Sequence, residues 1–348
     1  MKILCADYGV QTYYRLNKAG IFPSQLLYGS VEMENKGYKV EYFQFSRAQN
    51  IQGIWHDLKS LYTHDYDVLY LPYIRSKTVF ILLFFKLLKL YNHKIIGIQH
   101  KTIEGNCISR RWKKYLYRGI NRIFFHSPLN LEESVSSRIV CQEQTEVLYW
   151  GVQLLYYDNK IKKDSQNLTS DFISTGMENR DFRTLLLGFE YINAPLKIYA
   201  TKRFGCSDYL FSYNNISNNI FINYVEQKDD TIYKLAQIVA NSYCVVVLIL
   251  EEFCTYCVGH TSIVEALALG KPLIVTDNPY HPIDVEKEGV GLKVKPSDSQ
   301  SLVGAVNYLK NNREQALEMG RKARKLAEVK YNIDVCAKQI MEAIDNLY

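Results

Sequence analysis

The sequence predicts an α/β protein made of two doubly wound domains with mostly parallel sheets, facing a central cleft. Three observations carry that prediction. Short apolar runs alternate with helical patterns along the chain, in two series separated by a polar stretch. At 348 residues the chain exceeds what one ordinary core encloses. Finally, residues 259–277 read as loop, helix and buried strand in immediate succession.

The first series spans residues 1–150. Residues 2–6 form an apolar first strand rather than a signal peptide. A loop with Asp7, Tyr13, Tyr14 and Arg15 follows, without the G-x-G-x-x-G of a dinucleotide site. Leu26, Leu27 and Val31 mark a helix over 23–36 that stops at Gly37. Strands are expected at 39–45, 68–72, 94–99, 122–125 and 146–149, with helices at 78–92 and 107–119.

Residues 151–168 break the rhythm and become polar, which predicts a linker. The second domain occupies 169–330. Its strands are expected at 172–174, 196–199, 220–224, 243–250, 273–275 and 291–294, and its helices near 182–189, 229–240, 262–269, 298–311 and 313–329. In the segment 331–348, apolar residues at 333, 336, 337, 340, 344 and 347 give one stripe. It predicts a crossover helix packing back on the first domain.

Composition narrows the function classes. Residues 1–150 carry 20 Lys+Arg against 12 Asp+Glu, and the remainder 22 against 24. A basic first half points to an anionic partner. Nucleic acid is disfavoured, because no helix-turn-helix, finger or RNA-recognition pattern accompanies the charge. The 28 tyrosines suit a carbohydrate- or lipid-facing cleft, though an AT-rich genome also inflates Tyr. Eight scattered cysteines indicate a reducing cytoplasm. Only Cys254 and Cys257 have metal spacing, and no second pair completes a site, so no metal is expected. No run reaches the ~20 apolar residues of a membrane span. The nearly all-apolar stretch 78–91 and the cluster of Arg110, Arg111, Lys113, Lys114, Arg118 and Arg122 around Trp112 and Tyr115 instead suit a protein resting on an anionic bilayer. A buried sheet helix beside a solvated basic face explains them equally well.

Candidate site residues follow from strand ends. Gly259, His260, Thr261 and Ser262 precede or open a helix whose free N–H groups suit phosphate. Glu265 faces a ribose, or completes a capping box with Ser262. Gly176 ends the first strand of the second domain. Arg180 is placed for a diphosphate, unless it is a solvated neighbour of a helix-capping Asp181. His100 ends a parallel strand and either contacts a sugar, moves a proton or bonds a loop carbonyl. His126 occupies the same kind of position with a weaker case. Asp7, after strand one, is a candidate base.

These residues resemble the GT-B glycosyltransferases, two Rossmann-like domains in tandem, and particularly the retaining family-4 type of bacterial surface-polysaccharide synthesis. The resemblance is strongest over 171–311. It rests on Gly259-x-x-Ser-Ile-Val-Glu265-Ala-Leu-Ala-Leu-Gly270-Lys-Pro272, then Gly289-Val-Gly291 and Pro296-x-Asp298. It implies a hexose transferred from a UDP- or GDP-linked donor to a saccharide or polyprenyl-linked acceptor. No cofactor or metal is implied. The chain would be cytoplasmic, at the inner face of the membrane. By position Glu265 would hold the ribose, Arg180 the diphosphate and His100 the donor sugar, while Tyr224 and Val225 would read the base. Two departures stand out. Cys257 replaces a motif Glu, with Glu251 or Glu252 as substitutes, and only Gly9 remains of the Gly-rich loop after strand one. They leave retaining and inverting chemistry, a nucleotide-sugar epimerase, and a non-catalytic nucleotide-sugar binder open.

Overall fold

The computed structural model describes residues 1–48, 50–161, 170–176, 178–201, 208–213, 216–226 and 228–348. The chain divides into two compact units, Met1–Trp150 with Ile333–Tyr348, and Gly151–Asn332.

In the first unit the elements are β1 (Lys2–Asp7), α1 (Val10–Lys18), α2 (Ser30–Asn35), β2 (Lys39–Gln44), α3 (Ile51–Thr63), β3 (Val68–Leu71), α4 (Lys77–Leu87), β4 (Lys94–Gln99), α5 (Cys107–Tyr117), β5 (Arg122–Phe125), α6 (Pro128–Ser136) and β6 (Thr145–Val147). The six strands are parallel in the order β2-β1-β3-β4-β5-β6. Right-handed crossovers therefore put α1 and α2 on one face and α3 to α6 on the other. Strand residues such as Leu4, Leu69, Ile95 and Phe125 are wholly buried, as a sheet covered on both faces requires. The expected helix over 23–36 is broken, because Tyr28 and Gly29 both take left-handed angles. A short 3-10 turn (Ser24–Leu27) precedes the break, and α2 follows it.

The second unit contains α7 (Leu154–Lys160), β7 (Phe172–Thr175), α8 (Phe182–Glu190), β8 (Leu196–Ala200), α9 (Asp208–Ser212), β9 (Ile220–Tyr224), α10 (Thr231–Ala240), β10 (Cys244–Val247), α11 (His260–Ala268), β11 (Leu273–Thr276), β12 (Gly291–Val294), α12 (Ser299–Asn311) and α13 (Arg313–Val329). Its sheet is also parallel, in the order β12-β11-β10-β7-β8-β9. The stretch 151–168 is not simply a linker. Gly151 to Ile161 belong to the second unit, because α7 buries Tyr156 and Tyr157 and Val152 bridges Asn332. Residues 162–168 lie outside the described residues.

The last helix, α14 (Ile333–Asp345), returns to the first unit and packs on α2. Its apolar stripe, Ile333, Cys336, Ala337, Ile340 and Ile344, is buried. Gln339 accepts from the Tyr149 amide and donates to the Val147 carbonyl. Tyr38 donates to Asp345 at 2.7 Å.

Candidate active site

Strand order in the second unit reverses between β7 and β10, and open α/β sheets bind ligands outside the carboxyl ends of strands at such a point. The chain leaves β7 at Thr175 and turns at Gly176, whose φ is +122°. A side chain there would collide with the Arg180 guanidinium, 2.0 Å from an ideal Cβ. Glycine is thus what lets Arg180 fold back over the strand end. Arg180 is buried, donating from Nε to the Thr175 carbonyl, from Nη1 to the Glu178 carbonyl and from Nη2 to Ser262 Oγ. Asp181 caps α8 by accepting from the Thr184 amide, but Arg180 is not the solvated neighbour that this cap suggested.

Opposite it begins α11. Gly259 is its N-cap, at a φ of +83° that glycine adopts without strain, and the helix starts at His260. The capping-box alternative for Ser262 and Glu265 therefore fails. They sit in the first and second turns, and neither side chain caps the helix end. Ser262 instead receives Arg180. Arg180 Nη1 also lies 3.5 Å from where a Cβ on Gly259 would stand, so a cation and a helix N-terminus come together. The far end of α11 closes as a Schellman motif. Gly270 donates to Leu267 and Lys271 donates to Ala266.

Glu265 is largely enclosed, and the Tyr157 hydroxyl donates to its Oε1 at 2.9 Å. Burial pushes the carboxyl up to about 7, and the Tyr157 hydrogen bond pulls the other way. Tyr157 lies on α7, which is clamped to the unit by Asp158 and the two-pronged Arg324 at 2.7 and 2.8 Å. Arg324 also donates to the Ala268 carbonyl at the end of α11. No spacing signal connects Tyr157 to Glu265, since 108 residues separate them.

His260 is buried, with Nδ1 3.2 Å from Nε2 of His281. His281 Nδ1 in turn lies 3.2 Å from both the amide and the carbonyl of Ile283, which fixes the ring in place. Burial lowers the His281 pKa to about 4, so His281 faces His260 as a neutral ring near pH 7. Thr261 is exposed in the first turn. Tyr224 is exposed at the end of the edge strand β9, while the Val225 amide is committed to the Ala200 carbonyl at 2.7 Å. Cys257 is buried, and its thiol is pushed up to about 12 by burial. Glu251 and Glu252 are exposed on a 3-10 turn after β10. Among the described residues no cluster of His, Cys, Asp or Glu could hold a metal.

In the first unit Asp7 ends β1, with its carboxyl raised by burial and lowered by the Tyr8 amide and Arg75. His100 follows β4, and its Nε2 lies 3.2 Å from the Pro72 carbonyl. Of the three readings of His100, the carbonyl contact is thus realised. Burial lowers its pKa to about 4, so the ring is neutral near pH 7 and offers Nδ1 as an acceptor rather than a stored proton. His126, lowered to about 3 by burial and then by His100, is likewise neutral.

Residues 209–326 match the family described as Glycosyl transferases group 1. No curated protein matches the chain significantly. Among solved structures, a glycosyltransferase from Rickettsia africae is 13% identical, with a TM-score of 0.73 over 98% of this chain and 97% of that one. Sucrose-phosphate synthase from Thermosynechococcus elongatus is 14% identical, with a TM-score of 0.71 over 100% and 99%. HepE from Anabaena, in complex with UDP, is 15% identical, with a TM-score of 0.68 over 99% and 100%. The fold is GT-B, and residues 209–326 are similar to the group 1 glycosyl transferases.

Proposed function

We propose that this chain transfers a hexose-type sugar from a UDP- or GDP-linked donor to a saccharide or polyprenyl-linked saccharide in surface-glycan synthesis, with retention of configuration. The observation that carries the donor half is the convergence of Gly176, Arg180, Gly259 and Ser262 at the switch point of the second unit, with Glu265 farther along the same helix. Arg180 and the first-turn amides of α11 would take the diphosphate, with Thr261 beside them. Glu265, held by Tyr157, would accept from the ribose hydroxyls. Tyr224 and the Val225 carbonyl would face the base. Because a guanidinium and a helix N-terminus neutralise the leaving diphosphate, the reaction is proposed to need no metal. HepE, of the same fold, is described with UDP and with UDP-glucose, and WaaB is described as a lipopolysaccharide outer core galactosyltransferase. Both favour this donor and acceptor class.

Replacing Glu265 by Ala should weaken UDP or GDP binding about 10-fold to 100-fold, the worth of hydrogen bonds to a charged acceptor. Calorimetry reads the affinity while circular dichroism checks the fold, and unchanged affinity would overturn the assignment. Product analysis by NMR separates transfer from epimerisation, in which the donor changes without any acceptor. Binding without turnover would leave the non-catalytic reading, which Cys257 in place of a Glu keeps in view.

We further propose that the first unit rests on the anionic inner membrane face through α3, α4 and α5, which adjoin one another. Ile51 (87%), Trp55 (70%), Ile108 (77%) and Trp112 (61%) are exposed there, as are Phe84, Leu88 and Leu90. Residues 51–118 hold 12 Lys+Arg against 4 Asp+Glu, the whole positive excess of the first 150 residues. No described helix is long and apolar enough to cross a membrane.

A further inference from the structure

Strand order in the first unit also reverses, between β1 and β3. Beyond the carboxyl ends of those two strands stand Asp7 and Tyr8 on one side and Pro72 to Arg75 on the other. The Arg75 guanidinium lies over the Tyr73 ring at 4.2 Å and over the Tyr8 ring at 5.3 Å. Tyr73 also stacks on His100, with centroids 4.2 Å apart and planes 12° from parallel. Each supporting ring is itself fixed. The Tyr8 ring packs on Phe45, with centroids 5.9 Å apart. His100 is held at the Pro72 carbonyl. The loop carrying Tyr73 and Arg75 is tied down by the Ile74 amide, which donates to Ile98.

The arginine at the centre has stacking partners but no hydrogen-bonded ones. Among the described residues its guanidinium makes neither a hydrogen bond nor an ion pair, and Asp7 acts on it only at longer range. A planar cation stacked on two rings has lost most of its rotamer freedom, while its N–H fork stays available. Such a fork matches two oxygens of a phosphate or carboxylate.

We propose that the switch point of the first unit binds an oxyanion group of the second substrate, clasped by Arg75 and levelled by Tyr8 and Tyr73. That the bound molecule is the sugar acceptor rests on the glycosyltransferase reading; that the site takes an oxyanion does not. The group is either the phosphate of a phosphate-linked acceptor or the carboxylate of an acidic sugar. Asp7 borders the same crevice, so the clasp would set the distance between the acceptor's anionic end and that carboxyl group.

The test is a titration of the full chain followed by the amide NMR shifts of Tyr8, Tyr73, Arg75 and Ser76. Inorganic pyrophosphate is the probe in one arm and glucuronate in the other. Saturable shifts at these four amides are expected in one arm, and that arm identifies the source of the oxyanion. Arg75→Gln should weaken the binding about tenfold or more, and Arg75→Lys should recover only part of it, since a point charge cannot replace the fork. Tyr73→Ala should weaken it while leaving the charge intact. Absence of shifts in both arms, or equal binding by wild type and Arg75→Gln, would overturn the proposal. Arg75 is exposed, and a thermal melt confirms that its variants fold. The readout is local to the first unit, so loss of UDP binding in Glu265→Ala tests the donor reading separately.

Discussion

Glu265 joins a binding role to a cost in stability. Burial raises its carboxyl from 4.5 to about 7, so the folded chain binds this proton more tightly than the unfolded chain. Stability from this group is therefore fully present below about pH 4.5 and is lost as pH rises toward 7. Replacing Glu265 by Gln should raise the melting temperature a few degrees at neutral pH and above while weakening UDP binding, a pairing that a purely structural residue would not give. Tyr157 acts through Glu265. Tyr157→Phe removes the hydrogen bond that favours the ionised form, so the carboxyl titrates at higher pH. The acid-side loss of UDP affinity should shift upward by a measurable fraction of a pH unit in calorimetry across the neutral range. An unmoved profile would mean that Tyr157 only packs.

At the scale of elements, α11 owes its position to its contact with α13. The facing side of α13 is built from small residues, Gly320, Ala323 and Ala327, all buried. An ideal Cβ on Gly320 would stand 2.4 Å from the Gly270 carbonyl oxygen, at the Schellman end of α11. Gly320→Ala should therefore destabilise the protein by about 1–3 kcal/mol in urea unfolding, despite the better helix propensity of alanine. The control is Gly304 on α12, where a Cβ meets nothing within 4 Å. Gly304→Ala should stabilise by about 0.5–1 kcal/mol. The opposite signs distinguish close helix approach from propensity.

On the scale of the whole molecule, three neighbouring helices of the first unit combine exposed apolar side chains with a net positive charge. The full chain should sediment with vesicles containing anionic lipid, and the bound fraction should fall as salt screens the lysines and arginines. Neutral vesicles should retain much less. Exchanging Trp55 and Trp112 together for Ala should weaken binding without loss of fold, since both rings stand in solvent. A salt-insensitive dimer of the wild type in light scattering, with no vesicle binding, would assign the face to self-association instead.

The amino-acid sequence by itself determined the order of strands and most helices, because a parallel strand buried on both faces is a local run of apolar residues. All twelve strands of the described residues overlap stretches read as strands, and Gly270 with Pro272 marked the end of α11. The sequence reading has no helix at α1, α3, α6, α7 or α9, although α3 carries apolar residues at helical spacing (51, 54, 55, 58, 61 and 62). In α1 only Val10 and Leu16 are buried, and α7 sits in a stretch that turns polar toward its end. Tertiary structure alone decided what the site residues do. Gly259 rather than Ser262 caps α11, so Ser262 is left to meet Arg180 and Glu265 to meet Tyr157. Residues 259–277 indicated a phosphate-binding helix, but its partners come from segments 82 and 108 residues away. The stacking of Arg75 on Tyr8 and Tyr73 is of the same kind. It depends on β1 and β3 being neighbours, which is a property of the sheet order and not of either segment alone.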